Sequence, residues 1–292
     1  MPSIREIRRK IKSVRQTQQV TKAMKMIAAS RLKRAQTSLL ASRPYAKKVT
    51  ELVSSLKDRL AGEGTLPPPL LAPRPQAKDR LIILMSSDKG LCGSYNVALL
   101  RRTLQELDIA KTGGGRTVFF VIGKKGRDFL ASHGFSMEKE FVNFLRRPSF
   151  AQAEILAKEA VDYYLNHSNI SRVDVIFMDF RSVLRQAPDV ALLLPPEIKG
   201  RTCVGPAFDY IYEPSREMIL KELLPRYIKT ELYRLIFEAY TSEQAGRMNI
   251  MENATKNAGD LIEHLTLVGN QVRQSAITRE ILEVVSGAEA LA

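Results

Sequence analysis

IREIRRKIKSVRQTQQVTKAMKMIAASRLKRAQ, residues 4–36, is the stretch on which the fold turns. Its apolar residues Ile4, Ile7, Ile11 and Val14 recur at spacings of three, four and three, the seam of a coiled coil. The seam is expected to continue through Gln18, Thr21, Met24 and Ile27, with Ala23, Ala28 and Ala29 beside it, so contact there should be close but weakly apolar. From Ser3 to Arg59 the chain has no Gly and only one Pro, Pro44. A helix over that span is roughly 80 Å long, too long to be buried inside a globule of 292 residues.

The charge is placed as unevenly as the helix signal. The whole chain carries a formal +14, yet between Met1 and Lys48 fourteen Lys and Arg face the single acid Glu6. A concentrated positive field calls for an acidic partner, whether nucleic acid, an anionic membrane surface or carboxylates on another protein. Cys92 and Cys203 form no CxxC pair and fit a reducing compartment, with two ordinary buried thiols as the simplest account. No run of about 18 apolar residues is present to span a bilayer. Charged residues also occupy the place where a signal peptide has its apolar stretch. The start is Arg-rich and acid-poor, as a transit peptide would be, but the helical period runs straight through it and marks it as mature structure.

Gly62 and Gly64, followed by Pro67, Pro68, Pro69, Pro73 and Pro75, break the helix and mark a linker. The period then changes. LIILM (Leu81 to Met85) is an apolar run of strand length, repeated in type at Val118 to Ile122 and Val173 to Met178. Helical patterns lie between and after these runs, at Asn96 to Leu107, Lys124 to Ser132 and Gln152 to Leu165, the last opening with Ser149 and Gln152 at capping-box spacing. Alternating strands and helices predict a small, mostly parallel α/β domain.

Beyond Pro214 the helical period returns, with Ser215 as N-cap and a stripe at Leu220, Leu224, Ile228, Leu232, Leu235 and Ala239. Pro225 is expected to kink it. The stripe resumes at Ile250, Ala254, Leu261, Leu265, Val268, Val272, Ile281 and Val284. Two long amphipathic helices at opposite ends of a chain hide their seams most economically against each other. The expected organisation is a helix over 1–60, a Pro/Gly-rich linker over 61–76, an α/β domain over 77–212 and a helix over 213–292.

Three strings carry a family resemblance. TQQVTKAMKMIAASRLKRAQ (Thr17 to Gln36), SSDKGLCGSYN (Ser86 to Asn96) and SEQAGRMNIMENATKNAGDLIEHLTLVGNQVRQSAITREILEVVSGA (Ser242 to Ala288) resemble the gamma subunits of F-type ATP synthases. The resemblance implies a Rossmann-like α/β middle domain, with the N- and C-terminal helices wound into an antiparallel coiled coil. It implies a rotating central shaft inside a hexamer of α and β subunits, joined below to the epsilon subunit and the membrane c-ring. It implies no active site, no cofactor and no metal, and contact with the membrane only through the c-ring. The chloroplast-type regulatory cysteine loop is missing between Ala151 and Tyr212, and with the start at the helix this points to a bacterial enzyme, on the cytoplasmic face of the cell membrane.

By the same resemblance, Lys89 and the turn through Cys92 lie near an acidic loop of the β subunit. Arg273, Gln274 and Thr278 correspond to contacts with another β loop. Met24, Lys25 and Arg247 occupy positions tied to coupling. From their own chemistry, the apolar and small residues from Ile277 onward, among them Val284, Val285, Ala288 and Ala290, are expected to form a bearing tip able to turn in an apolar collar.

Other readings of the same residues are weaker. SSDKGLCGSYN follows a strand and precedes a helix, as a phosphate cradle does, but it has neither GxGxxG nor GxxxxGK[ST], and a tight turn of small residues accounts for it. Asp88 in that turn has no second carboxylate or nucleophile in a catalytic motif. Gly113, Gly114 and Gly115 precede a strand and read as a flexible turn. His133, His167 and His264 have no ligand spacing. A basic-region nucleic-acid binder would carry its charge on a free arm. Here the charges are threaded with seam residues, so no nucleic-acid partner is expected.

Overall fold

The computed structural model describes residues 3–62, 67–112, 114–197, 213 and 215–289. Gly64, Gly113, Cys203, Pro214 and Ala290 lie outside the described residues. The elements are α1 (Ile4–Gly62), β1 (Asp79–Met85), α2 (Tyr95–Thr112), β2 (Thr117–Ile122), α3 (Lys124–Ser132), β3 (Met137–Phe141), a 3-10 turn (Phe144–Arg146), α4 (Phe150–Asn166), β4 (Ile170–Phe180), β5 (Gln186–Leu194) and α5 (Arg216–Glu289). They form two compact units, one of Met1–Ala29 with Arg247–Ala292, the other of Ser30–Gly246.

In the first unit, the start of α1 and the end of α5 pair antiparallel. A Cβ on Gly269 would meet Ile7 Cγ2 at 3.2 Å, and one on Gly259 would meet Gln18 Nε2 at 3.2 Å. The Thr21 and Thr255 hydroxyls lie 2.8 Å apart, and Gln18 donates to the Thr255 carbonyl at 3.4 Å. Small residues thus let the helices approach closely, with hydroxyl and amide groups bonding across the seam. α1 opens with a reciprocal cap that its sequence signals but that went unpredicted. Glu6 N–H donates to Ser3 Oγ at 3.2 Å, and Ser3 N–H donates to Glu6 Oε2 at 3.1 Å.

The seam keeps the expected register at Ile4, Ile7, Ile11, Val14, Gln18, Thr21 and Met24, all buried or half-buried, and departs from it elsewhere. Ile7, Thr21 and Ala28 are buried, as are Met251 and Ala258, whereas Ile27, Ile250 and Leu261 are 53%, 37% and 45% exposed. Seven-residue steps from Thr21 to Ala28 and from Met251 to Ala258 hold the contact line. A neighbour one position off is rotated about 100° from that line, whatever its hydrophobicity.

The second unit is built on a five-stranded sheet of order β3-β2-β1-β4-β5. β1 pairs in parallel with β2 and β4, β2 with β3, and only β4 with β5 is antiparallel. The inner strands are mostly apolar because both faces are covered. Ile82, Leu84, Phe119, Val121 and Ile176 pack with Leu99 of α2 and Leu130 of α3. Leu81, Ile83, Phe120, Val173 and Val175 pack with Leu156 of α4, and with Val53 and Leu56 of α1 and Ile228, Leu232 and Leu235 of α5.

β3 and β5 were not expected. β3 reads MEKEF and alternates half-buried with exposed at a sheet edge, and β5 carries Pro188 on the other edge, where a missing N–H does no harm to the ladder. α1 and α5 run through Pro44 and Pro225 as single helices. Ser215 caps α5, accepting from Met218 N–H at 3.2 Å. Ser149 sits at the N-cap of α4, but its hydroxyl bonds the Gln152 side chain and caps no backbone N–H. The expected capping box is therefore not formed.

One polar group crosses the apolar interior. Arg80 on β1 reaches Asp174 on β4 and Glu106 on α2, the latter at 2.7 Å, while Arg172 holds Asp174 and Arg102 holds Glu106 from the rim. Burial alone pushes the Arg80 pKa down, but the two carboxylates outweigh it and hold it above the usual arginine value. Asp174 is fully buried, so Asp174→Asn should destabilise the chain by about 3 kcal/mol or more in chemical denaturation. Replacing Arg80, Glu106 and Asp174 together by Met, Leu and Leu should cost less than that single change, and the reverse order would contradict a network held by mutual neutralisation.

α5 also crosses the carboxyl end of the sheet. Ser242 Oγ donates to the Met178 carbonyl at 3.1 Å, and a Cβ on Gly246 would sit 2.8 Å from the Cys92 carbonyl oxygen. Gly246→Ala should accordingly cost on the order of 1–3 kcal/mol. Gly90→Ala, where a Cβ meets nothing within 4 Å, should leave the thermal midpoint almost unchanged.

Candidate functional site

The turn after β1 occupies the place where open α/β sheets bind ligands, at the switch in strand order between β1 and β4. Its side chains are spent on a neighbouring helix instead. The first N–H groups of α3 form a natural anion site, and the turn fills it. Asp88 Oδ1 accepts from Lys124 N–H at 3.1 Å, the Ser87 carbonyl from Lys125 N–H at 3.0 Å, and Ser86 Oγ from Gly126 N–H at 2.8 Å. Asp88 also accepts from Asn143 N–H at 2.9 Å. Within the turn, Ser87 and Asn96 bond side chain to side chain at 3.0 Å, and Tyr95 donates to the Met85 carbonyl at 3.3 Å. With Gly246 of α5 laid on the Cys92 carbonyl, the crevice is closed from above. The arrangement is a knuckle whose groups take up the first N–H groups of α3, so a phosphate does not find that helix terminus open.

The knuckle shows Lys89 to solvent and hides Cys92, which is 2% exposed. The residue overlooked in the sequence is Leu91. It is 59% exposed and sits at φ 60°, in a left-handed conformation that costs a branched residue roughly 1–2 kcal/mol. Between Gly90 and Cys92 a leucine reads as core, and only the turn geometry turns it outward. A partner touching this knuckle meets Lys89 and Leu91.

Met24, Lys25 and Arg247 lie in the helix-pair unit. Lys25 Nζ stands 2.6 Å from Glu252 Oε1, both partly exposed, so Lys25 already holds an acid from α5, a pairing that the sequence separation conceals. Met24 is half-buried beside it and Arg247 is buried, at 8% exposed. Farther along α5, Arg273, Gln274 and Thr278 are exposed, with Thr278 Oγ1 donating to the Gln274 carbonyl at 3.0 Å.

Beyond Ala276 every described residue of α5 is exposed. Ile277, Ile281, Val284 and Ala288 recur at helical spacing on one face, and Val284 and Val285 are 72% and 49% exposed. An apolar stripe left in water at a helix end is suited to contact with another surface. Among the described residues no His, Cys, Asp and Glu cluster with metal-ligand geometry occurs.

The comparisons with known proteins agree along the full length. A family model described as ATP synthase matches residues 3–291. ATP synthase gamma chains from Anaeromyxobacter sp. (strain Fw109-5) and Moorella thermoacetica (strain ATCC 39073 / JCM 9320) are 40% and 41% identical, each over 294 residues and 100% of both chains. A chain in the structure of the central stalk and c-ring of Tetrahymena thermophila mitochondrial ATP synthase superposes with a TM-score of 0.59 at 25% identity, covering 80% of this chain and 99% of that one. One in the Euglena gracilis mitochondrial ATP synthase gives 0.66 at 17% identity, covering 99% of this chain and 94% of that one, and shares the fold. With a paired-helix unit, a five-stranded α/β unit and alignment from end to end, this chain belongs to the ATP synthase gamma chain family.

Proposed function

We propose that this chain is the central rotor shaft of an F-type ATP synthase, turning inside a hexamer of α and β subunits and joined to the epsilon subunit and the membrane c-ring. The observation that carries the reading is the antiparallel seam of the chain ends, together with full-length similarity to gamma chains. A shaft with no threefold symmetry of its own meets chemically identical β subunits with a different face at each angle. Differential contact of this kind shifts each subunit's conformational equilibrium, and it does so by as much as the contacts differ.

The chain needs no reacting group for this, and the sealed crevice after β1 supports a non-catalytic role. The proposed β contacts suit repeated making and breaking. Lys89, Arg273 and Gln274 are exposed, and exposed charge pairs are worth about 1 kcal/mol or less. Lys25 and Glu252 would hold the two helices together as load passes between them. The apolar face at Ile277, Ile281, Val284 and Ala288 would turn in an apolar collar, where contact without directional bonds favours no single angle. No helix among the described residues is long and apolar enough to cross a membrane, and the chain is proposed to reach the cytoplasmic face of a bacterial membrane through the c-ring.

Co-expression with the α and β subunits of the same organism should yield a hexamer that retains this chain and hydrolyses ATP, while the purified chain alone hydrolyses none. Failure to co-purify would remove the proposal. In that assembly, deleting the residues from Ile277 onward should lower torque in single-molecule rotation and speed dissociation of the shaft. Unchanged torque and retention would show that the tip is no bearing.

A further inference from the structure

Arg31, Arg34, Ala35 and Ser38 stand at i, i+3, i+4 and i+7, so they share one face of α1. Ala35 is buried, and the small side chains at 35 and 38 leave a hollow that the two arginines flank. Across the hollow, the segment after the 3-10 turn Phe144–Arg146 brings in Arg146 and Arg147, both exposed. α5 closes the floor with Phe237 and Tyr240, only 5% and 8% exposed. The result is a cleft of about 540 Å³ within the α/β unit, inside the range of roughly 300–1,000 Å³ usual for small-ligand sites.

Four guanidinium groups line this cleft, and no carboxylate among the described residues lies within ion-pair distance of any of them. Elsewhere in the same unit Arg80, Arg102, Arg127, Arg172, Arg181 and Arg234 each hold an acid. Arg34 is steadied by its own helix, donating to the Ser30 carbonyl at 3.4 Å and to Ser30 Oγ at 3.3 Å, which leaves further N–H groups for a ligand. Like charges gathered in a concave, partly apolar site focus a positive potential that favours a compact anion.

We propose that this cleft binds a soluble oligophosphate, gripped by Arg31 and Arg34 from α1 and by Arg146 and Arg147 from the facing segment. Phosphate matches the guanidinium fork in bidentate geometry, and adjoining phosphoryl groups supply enough charge and acceptors for several forks at once. A single carboxylate satisfies two forks at most. A hollow closed on three sides suits a compact polyanion better than an extended acidic segment. Because the ligand bridges α1 to the 146–148 segment, occupancy stabilises the packing of α1 against the α/β unit in proportion to ligand concentration.

The test uses the full chain and tripolyphosphate, titrated by calorimetry at physiological salt, with the thermal midpoint read in parallel. Saturable one-site binding is expected, together with a raised midpoint. Arg146→Gln with Arg147→Gln should weaken binding by about tenfold or more while leaving the ligand-free midpoint unchanged, because neither side chain holds a carboxylate. Arg31→Gln should do the same from the opposite wall. Arg8→Gln with Arg9→Gln, exposed positions of the basic stretch that do not line the cleft, should change nothing. The proposal is overturned if no saturable binding occurs, or if the Arg8 and Arg9 variant loses as much as the cleft variants. It is equally overturned if an oligoglutamate peptide displaces tripolyphosphate at comparable concentration, since the surface would then be one for acidic polypeptide.

Discussion

Close approach of the two chain ends is the constraint from which the rest follows. Gly259 and Gly269 face Gln18 and Ile7 so closely that an added Cβ would stand 3.2 Å from each, and the Thr21 and Thr255 hydroxyls meet across the seam. Such a seam buries little apolar surface per turn. It depends instead on length, on small residues and on bonds that cross it, among them the Lys25 to Glu252 pair. Hydroxyl and amide bonds specify register more sharply than an all-leucine seam does, because a shifted helix leaves them unmade. A coupler loaded along its length benefits from a register that resists slipping.

The α/β unit shows how a fold able to bind nucleotides is put to other use. The α3 N-terminus and the β1–β4 switch are the two features that capture phosphate in sheets of this kind. In this chain Ser86, Ser87 and Asp88 cap the helix, and Ser242 and Gly246 cover the switch. The same glycine-containing turn is thereby converted from a loop that yields to a ligand into a fixed knuckle with Lys89 and Leu91 outermost. Function in this fold resides in side chains placed at the turn, and the sheet itself is indifferent to it.

Much of this was legible in one dimension. Ile4, Ile7, Ile11 and Val14 announce a paired helix, LIILM and its repeats announce a doubly covered sheet, and Ser215 announces the start of α5. What went unread has physical reasons. MEKEF and the Pro188 strand lie at sheet edges, where one flank is unpaired and the apolar signal is halved. Ser149 and Gln152 have capping spacing, yet side-chain hydroxyl and amide found each other first. Ile27, Ile250 and Leu261 look like seam residues by hydrophobicity, but helical rotation gives the contact line to Ala28, Met251 and Ala258.

The sequence by itself determined the periods, the punctuation and the class of fold, because these depend on local spacing and on the conformational limits of Gly and Pro. Tertiary structure alone decided which side chain faces which. It set Glu252 against Lys25, buried Asp174 between Arg80 and Arg172, turned Leu91 outward, and gathered Arg31 and Arg34 with Arg146 and Arg147 around one hollow. Partners separated by 94 positions, as Arg80 and Asp174 are, or by 227, as Lys25 and Glu252 are, carry no mark of one another in a single chain, and only close packing brings their charges within reach.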